Sequence, residues 1–285
     1  MTTVIKDQDI REYHKADGIS KSGLDLIAKA PLFYYDRYLA PDKEPMDNQA
    51  LKIGRLAHTM LLQPELIDKE YNILPCEKQI NKETLEWCEY IKTPQFNIAE
   101  WKITDKIAKY VGTSDKQCIN IKDYLEVEKM IKVLRDDPQV QLLLSDGEAE
   151  LSFYEDDNGT VKRCRADYLR NDGIIIDYKS VAGGFFSDGK AESFQRTAVK
   201  LGYHKGAAWY TDIISGAMPV EGFIFLVQEK VRPYAYSIYQ LSDDFIEAGR
   251  KAVNKDYETY KECKAKNEWP GYTKGIVEID KPNWI

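Results

Sequence analysis

Hydrophobic positions change their period partway along the chain. In the first part apolar residues recur every three to four positions: Leu24, Ile27 and Ala28 follow Ser20 and Ser22, either of which can cap a helix. Pro31 breaks the pattern before an aromatic helix over 33–38, and a loop with Pro41 and Pro45 leads to a helix predicted over 49–62. On that helix Leu51, Gly54, His58 and Leu61 share one face, so His58 points inward. Two or three more amphipathic helices are expected between Asn81 and Asp137, opening near Asn81 and Asp123, with 93–117 the least regular stretch.

After Asp146-Gly147 the pattern turns to alternation, which predicts strands over 148–154, 161–170 and 174–181. A helical region over 191–214, strands over 222–228 and 234–241, a long helix over 243–266 and a tail with Trp269 and Trp284 follow. There is no repeat, no Gly/Ser/Pro linker and no like-charge block. The fold class expected is mixed α/β (α+β): a central mixed sheet with an antiparallel hairpin core, flanked by helices, behind a helical N-terminal third. One domain is expected over 1–285, with a mainly helical part (1–145), a core of sheet and helices (146–241) and a C-terminal helix and tail (242–285).

The turns serve as rulers, because turn length fixes which residues face each other across antiparallel strands. A two-residue turn at Asn158-Gly159 sets Asp157 against Thr160 and therefore Glu150 against Asp167. A three-residue turn at Asn171-Asp172-Gly173 sets Arg170 against Ile174 and Asp167 against Asp177. One face then carries Glu150, Arg165, Asp167, Asp177 and Lys179, and the other a core of Leu151, Phe153, Ala166, Ile174 and Ile176. Three carboxylates in a row repel one another, and a divalent cation would relieve this, Mg²⁺ being a hard ion that takes carboxylate oxygens. Lys179, two residues beyond Asp177, could hold or deprotonate a water beside it. The competing reading is an ordinary solvated face on which Lys179 and Arg165 neutralise the acids.

Composition narrows the metal and the setting. The chain has 285 residues, 40 basic and 47 acidic, a net charge of −7 and 43% hydrophobic residues, the profile of a globular protein. The acidic balance argues against a surface that is basic throughout but leaves room for a basic groove. Five cysteines, with no Cys-x-x-Cys pair, and three histidines without metal spacing argue against disulfides and a zinc cage. With no apolar run long enough for a membrane span and no leader-like N-terminus, the expectation is a cytoplasmic protein.

The spacing Glu150, Asp167, Asp177-Tyr178-Lys179 resembles the PD-(D/E)XK nuclease core. The chain is closer still to the exodeoxyribonuclease VIII (RecE-type) family. Gly18-Ile19-Ser20-Lys21-Ser22, Gly54-Arg55-Leu56-Ala57-His58, Arg163-Cys164-Arg165-Ala166-Asp167, Ile176-Asp177-Tyr178-Lys179, Tyr203-His204 and Glu268-Trp269-Pro270 carry the likeness. It implies a Mg²⁺-dependent exonuclease, with Mn²⁺ as a substitute, that degrades the 5′-ended strand of linear double-stranded DNA. The 3′ tail would pass to a single-strand annealing protein, and a ring tetramer is implied.

By the same resemblance Glu150, Asp167, Asp177, the Tyr178 carbonyl and His58 are metal ligands and Lys179 is the catalytic lysine. Arg163, Arg165, Tyr203, His204, Lys205 and Tyr210 are DNA-binding candidates, with Lys200 and Arg170 as further phosphate contacts. The chain departs from the family at Gly206, where relatives carry a glutamine four residues before Tyr210. The supporting contact made there is lost or taken over by His204 or Lys205. A catalytically weak DNA-end-binding scaffold and an endonuclease are the alternatives.

Overall fold

The computed structural model describes residues 2–42, 49–74, 116–184 and 188–282. The helices expected between Asn81 and residue 115, and Trp284, fall outside them. Six strands form the main sheet: β1 (Thr2–Ile5), β4 (Gly147–Asp157), β5 (Thr160–Arg170), β6 (Ile174–Val181), β7 (Gly222–Glu229) and β8 (Tyr236–Gln240), hydrogen-bonded in that order. All neighbours are antiparallel except β6 and β7, which run parallel from Ile174↔Gly222 to Val181↔Glu229. Two helices, α8 (Ala191–Lys200) and α9 (Tyr203–Ser215), make the crossover that a parallel pair requires. The expected mixed α/β architecture is the observed one. A separate parallel pair joins β2 (Tyr71–Leu74) to β3 (Gln117–Asn120).

Local chemistry sets the helix limits. In α2 (Lys21–Lys29) the Ser20 hydroxyl accepts from the Gly23 amide at 3.4 Å, and the helix ends at extended Ala30, ahead of Pro31. There α3 (Pro31–Tyr34) runs into a π-turn over Tyr35–Leu39. The histidine helix, α4 (Gln49–Leu62), has the predicted limits. The helix expected to open near Asp123 is α6 (Ile121–Arg135), because Asn120 supplies the cap, its Oδ1 accepting from the Asp123 amide at 2.8 Å. The expected helical region over 191–214 is divided by Gly202, whose φ of 67° is left-handed. The last helix, α10 (Asp243–Lys266), begins at the Ser242 cap and ends at left-handed Asn267. Short α1 (Ile10–Lys15), α5 (Ile67–Glu70) and α7 (Pro138–Leu143) are the remaining helices among the described residues.

Two apolar cores lie on opposite faces of the sheet. The first joins Leu24 of α2, Phe153, Ala166, Ile175, Phe225, Trp209 of α9 and Tyr257 of α10. The second joins Leu56 and Met60 of α4, Ile131 of α6, Tyr168, Ile176, Tyr178 and Leu226. The register of both hairpins is the predicted one, with Leu151↔Ala166 and Ala149↔Tyr168 in the first and Tyr168↔Ile176 in the second. The predicted single core face is nevertheless divided. Leu151, Phe153 and Ala166 belong to the first core, whereas Ile176, with partly buried Ile174, belongs to the second. The cause is an interruption shared by both strands: Glu150 adopts φ 54° and neither it nor Asp167 joins the ladder, so the hairpin changes face there without changing register.

Among the described residues no helix is long and apolar enough to cross a membrane. The approach of α9 to α10 is close enough that a Cβ on Gly249 would stand 2.1 Å from the His204 carbonyl oxygen. Gly249→Ala should therefore destabilise the fold by about 1–3 kcal/mol, as measured by urea unfolding, because backbone rather than a flexible side chain has to move.

Candidate metal centre

The site forms where β5 and β6 part. Their ladder holds two residue pairs, Tyr168↔Ile176 and Leu169↔Ile175, and stops before Asp167 and Asp177. There the Tyr178 amide, which a continued ladder would have paired with a carbonyl, donates to Asp167 Oδ2 at 2.9 Å. The opening is reached from both faces of the sheet, which corrects the expectation that five charged residues share one face. Asp177 and Lys179 alternate with Tyr178, a member of the second core, and follow Ile175 on the side of the first.

His58 on α4 comes from the second-core side, its Nδ1 3.4 Å from Asp167 Oδ2. His58, Glu150 and Asp167 each offer a ligand atom, and these atoms lie within 4.8 Å of one another. Asp177 sits at the edge of this group in an ion pair with Lys179. Glu150 is held on its other side by Arg165, whose Nε donates to Glu150 Oε2 at 2.6 Å while Nη1 donates to the Gln8 carbonyl at 2.8 Å.

Electrostatics mark these groups as strained. Burial, with Asp167 adding repulsion and Arg165 opposing it, pushes the Glu150 carboxyl up to about 7. Asp167 is raised by burial against the pull of Lys179, and Asp177 is pushed up to about 6 in the same way. Burial also opposes the charge on Lys179, but the facing carboxylates Asp177 and Asp167 more than offset this and hold the ammonium protonated well above its ordinary range. His58 falls to about 4 through burial and the nearby Lys179, so its imidazole is neutral and free to ligate. Two carboxylates and a neutral imidazole form a donor set suited to a hard or borderline divalent cation, and its charge would offset the burial that now raises the acids and the lesser repulsion that Asp167 adds at Glu150 and Asp177.

The group lines a cleft of about 1030 Å³. Among the described residues its lining carries eight lysine and arginine side chains against three carboxylates, although the chain as a whole is acidic. Arg163 is 4% exposed, packs 4.8 Å from the Tyr13 ring and, among the described residues, has no hydrogen-bond partner for its buried Nε. Burial, then Arg163, Arg165, Arg55 and Arg37, depress the titration of His14, so the positive field there is dense.

The other expected contacts divide. Tyr203 and Tyr210 line the cleft, and Lys179 lies 5.3 Å from the centroid of the Tyr203 ring. His204 and Lys205 turn away: His204 meets the Ala198 carbonyl at 3.2 Å and stacks on Phe245, and Lys205 bonds Asp256 on α10 at 2.6 Å. Arg170 is committed to Asp172 and to the carbonyls of Leu142 and Leu143, and Lys200 is exposed. Neither of them lines the cleft.

The space over Gly206 is filled by Lys21, whose side-chain carbons would stand 3.5–3.7 Å from a Cβ there. Lys21 lines the cleft, bonds Asp25 at 2.8 Å and lies 5.9 Å from the same Tyr203 ring. In the sequence Lys21 stands inside the Gly18–Ser22 motif with nothing that singles it out. Its place at the first turn of α2, facing α9, depends on tertiary packing.

The model of a family described as "PDDEXK-like domain of unknown function (DUF3799)" matches residues 22–281. No protein among the curated sequences matches. A solved structure from Eubacterium rectale, described as a "Putative exonuclease", is similar in fold at 14% identity with a TM-score of 0.58, covering 95% of this chain and 94% of its own.

Without metal, stability should fall as pH rises from 6.5 to about 8. A carboxyl held above its ordinary value stabilises the fold when protonated and loses that contribution as pH rises through about 6 for Asp177 and about 7 for Glu150. His58, held below 6.5, acts in the opposite direction mainly on the acid side of that value and fades above it, so the slope set by Glu150 remains downward. Melting temperatures in EDTA should show the decline, and saturating Mg²⁺ should flatten it by binding the ionised acids.

Proposed function

The chain belongs to the PDDEXK-like family that its sequence matches over residues 22–281, and on that premise we propose that it is a metal-dependent nuclease that shortens the 5′-ended strand of linear double-stranded DNA. The observation that carries the nuclease reading is the combination of an acid and imidazole cluster with Lys179 on the wall of a basic cleft, Lys179 being paired with buried Asp177 behind it. The exonuclease direction and the linear substrate rest on the resemblance to the exodeoxyribonuclease VIII family. So do a ring tetramer and a single-strand annealing partner that takes the 3′ tail.

Mg²⁺, with Mn²⁺ as a substitute, would be held by Asp167, Glu150 and His58, with Asp177 and the Tyr178 carbonyl completing the set. When bound, it supplies charge stabilisation at the phosphate and lowers the pKa of a coordinated water. The chain's own residues supply the rest. Lys179, protonated and held against Asp177, is placed to orient the attacking water and to steady charge on the phosphate. Arg163 and Lys21, both on the lining of the cleft, offer positive charge for phosphate contacts. Arg165 supports Glu150 in preference to reaching for DNA. His58 stays neutral beside Asp167, so it fixes the carboxylate without competing for charge.

End-labelled linear duplex incubated with Mg²⁺ or with EDTA tests the proposal. Mononucleotide release from the 5′-ended strand in Mg²⁺ alone is expected, and Lys179→Ala and Asp167→Asn should each lower the rate by about 100-fold or more while the proteins stay folded. Binding without strand loss in Mg²⁺ would favour the scaffold reading, and cutting of closed circular DNA would favour an endonuclease.

A further inference from the structure

Behind the metal centre lies a polar network that the proposed chemistry does not use. Gln228 on β7 is 0% exposed. Its Nε2 donates to the Met130 carbonyl on α6 at 2.7 Å and to the Tyr234 carbonyl at 3.3 Å. An amide facing two carbonyls can present them only its NH₂, so Oε1 is left for the remaining partner, the Tyr178 hydroxyl, which must donate to it. That bond is 2.9 Å long, and Tyr178 itself is 1% exposed. The network continues through the Tyr234 hydroxyl to Glu126.

Tyr178 touches the centre in three ways besides. Its amide holds Asp167 Oδ2, its backbone hydrogen-bonds His58, and its ring meets the His58 ring edge-on with centroids 5.1 Å apart. The β5 side of β6 has already left its ladder at this point, so on that side the tyrosine is fixed by side-chain contacts. A tyrosine with its hydroxyl unbonded would carry a buried polar group at a cost of about 1–3 kcal/mol and could turn or tilt to relieve it, moving the ring on which His58 rests.

We propose that Gln228 is a positioning residue for the metal centre: through the Tyr178 hydroxyl it fixes the segment that holds both Asp167 and His58 in ligating place. Gln228 touches neither metal nor substrate. It extends the proposed metal centre outward, from Asp167 and His58 through Tyr178 to an amide anchored on α6. The inference therefore rests on the metal-centre reading of the preceding section. Groups that orient ligands in this way typically change metal affinity by about 10-fold or more when removed.

The test is Mn²⁺ binding, followed by electron paramagnetic resonance of the free ion, on the full chain without DNA. The variants are Tyr178→Phe, Gln228→Met and the pair together. Each single variant should raise the dissociation constant for Mn²⁺ by about 10-fold. The double variant should bind no worse than the weaker single one, because both remove the same hydrogen bond. Tyr178→Phe deletes one oxygen and leaves both carbonyl partners of Gln228 satisfied, so it keeps the test valid if Gln228→Met folds poorly. Wild-type affinity in folded Tyr178→Phe, or losses that multiply in the double variant, would overturn the proposal. Failure of the nuclease reading would look different: wild-type protein would bind Mn²⁺ yet leave DNA intact.

Discussion

A single hydrogen bond, from the Tyr178 amide to the Asp167 carboxylate, sits where two adjacent strands stop pairing. Strands that part inside a sheet expose backbone donors which must find other partners. Here a side chain from the neighbouring strand takes the role of the missing carbonyl, and the carboxylate it uses is thereby held in a buried gap. The same contact brings the ring of Tyr178 under His58 and allows an α4 side chain from one face of the sheet to meet acids reached from the other. The concentration of charge, the upward shift of Glu150, Asp167 and Asp177 and the neutrality of His58 all follow from that opening.

Much of this was legible in the sequence, because turns carry their own geometry. Asn158-Gly159 and Asn171-Asp172-Gly173 fix the register of both hairpins, and with it the neighbourhood of 150, 167 and 177. The limits of α4 and α10 follow from apolar spacing and, for α10, from Ser242 at its start. What escaped was the change of face at Glu150. A left-handed glutamate leaves no mark in a pattern of alternation, and the strain is visible only once the flanking pairs on both sides are seen.

Other omissions have the same origin in long-range packing. β1 is four residues long, mostly exposed and meaningful only against β4, and β2 and β3 find each other across more than forty residues. Helical periodicity placed His204 and Lys205 beside the face of Tyr203 and Tyr210, but it could not show that α10 supplies Asp256 and Phe245 to occupy them. Nor could it show that Lys21, distant in sequence, fills the room above Gly206.

The contrast between the basic cleft and the acidic remainder of the chain has a consequence for encounter. On the proposed reading a long polyanion drifting toward the molecule would be repelled over most approaches and attracted along one, so productive collisions would be sorted before any contact is made. Salt shortens the range of attraction and repulsion together, and dilute and concentrated electrolyte therefore differ in how selectively the opening is found as well as in how tightly it holds. If the cleft takes DNA as proposed, the net negative charge of the chain, which read in isolation argues against an affinity for phosphates, would instead help to guide them to the opening.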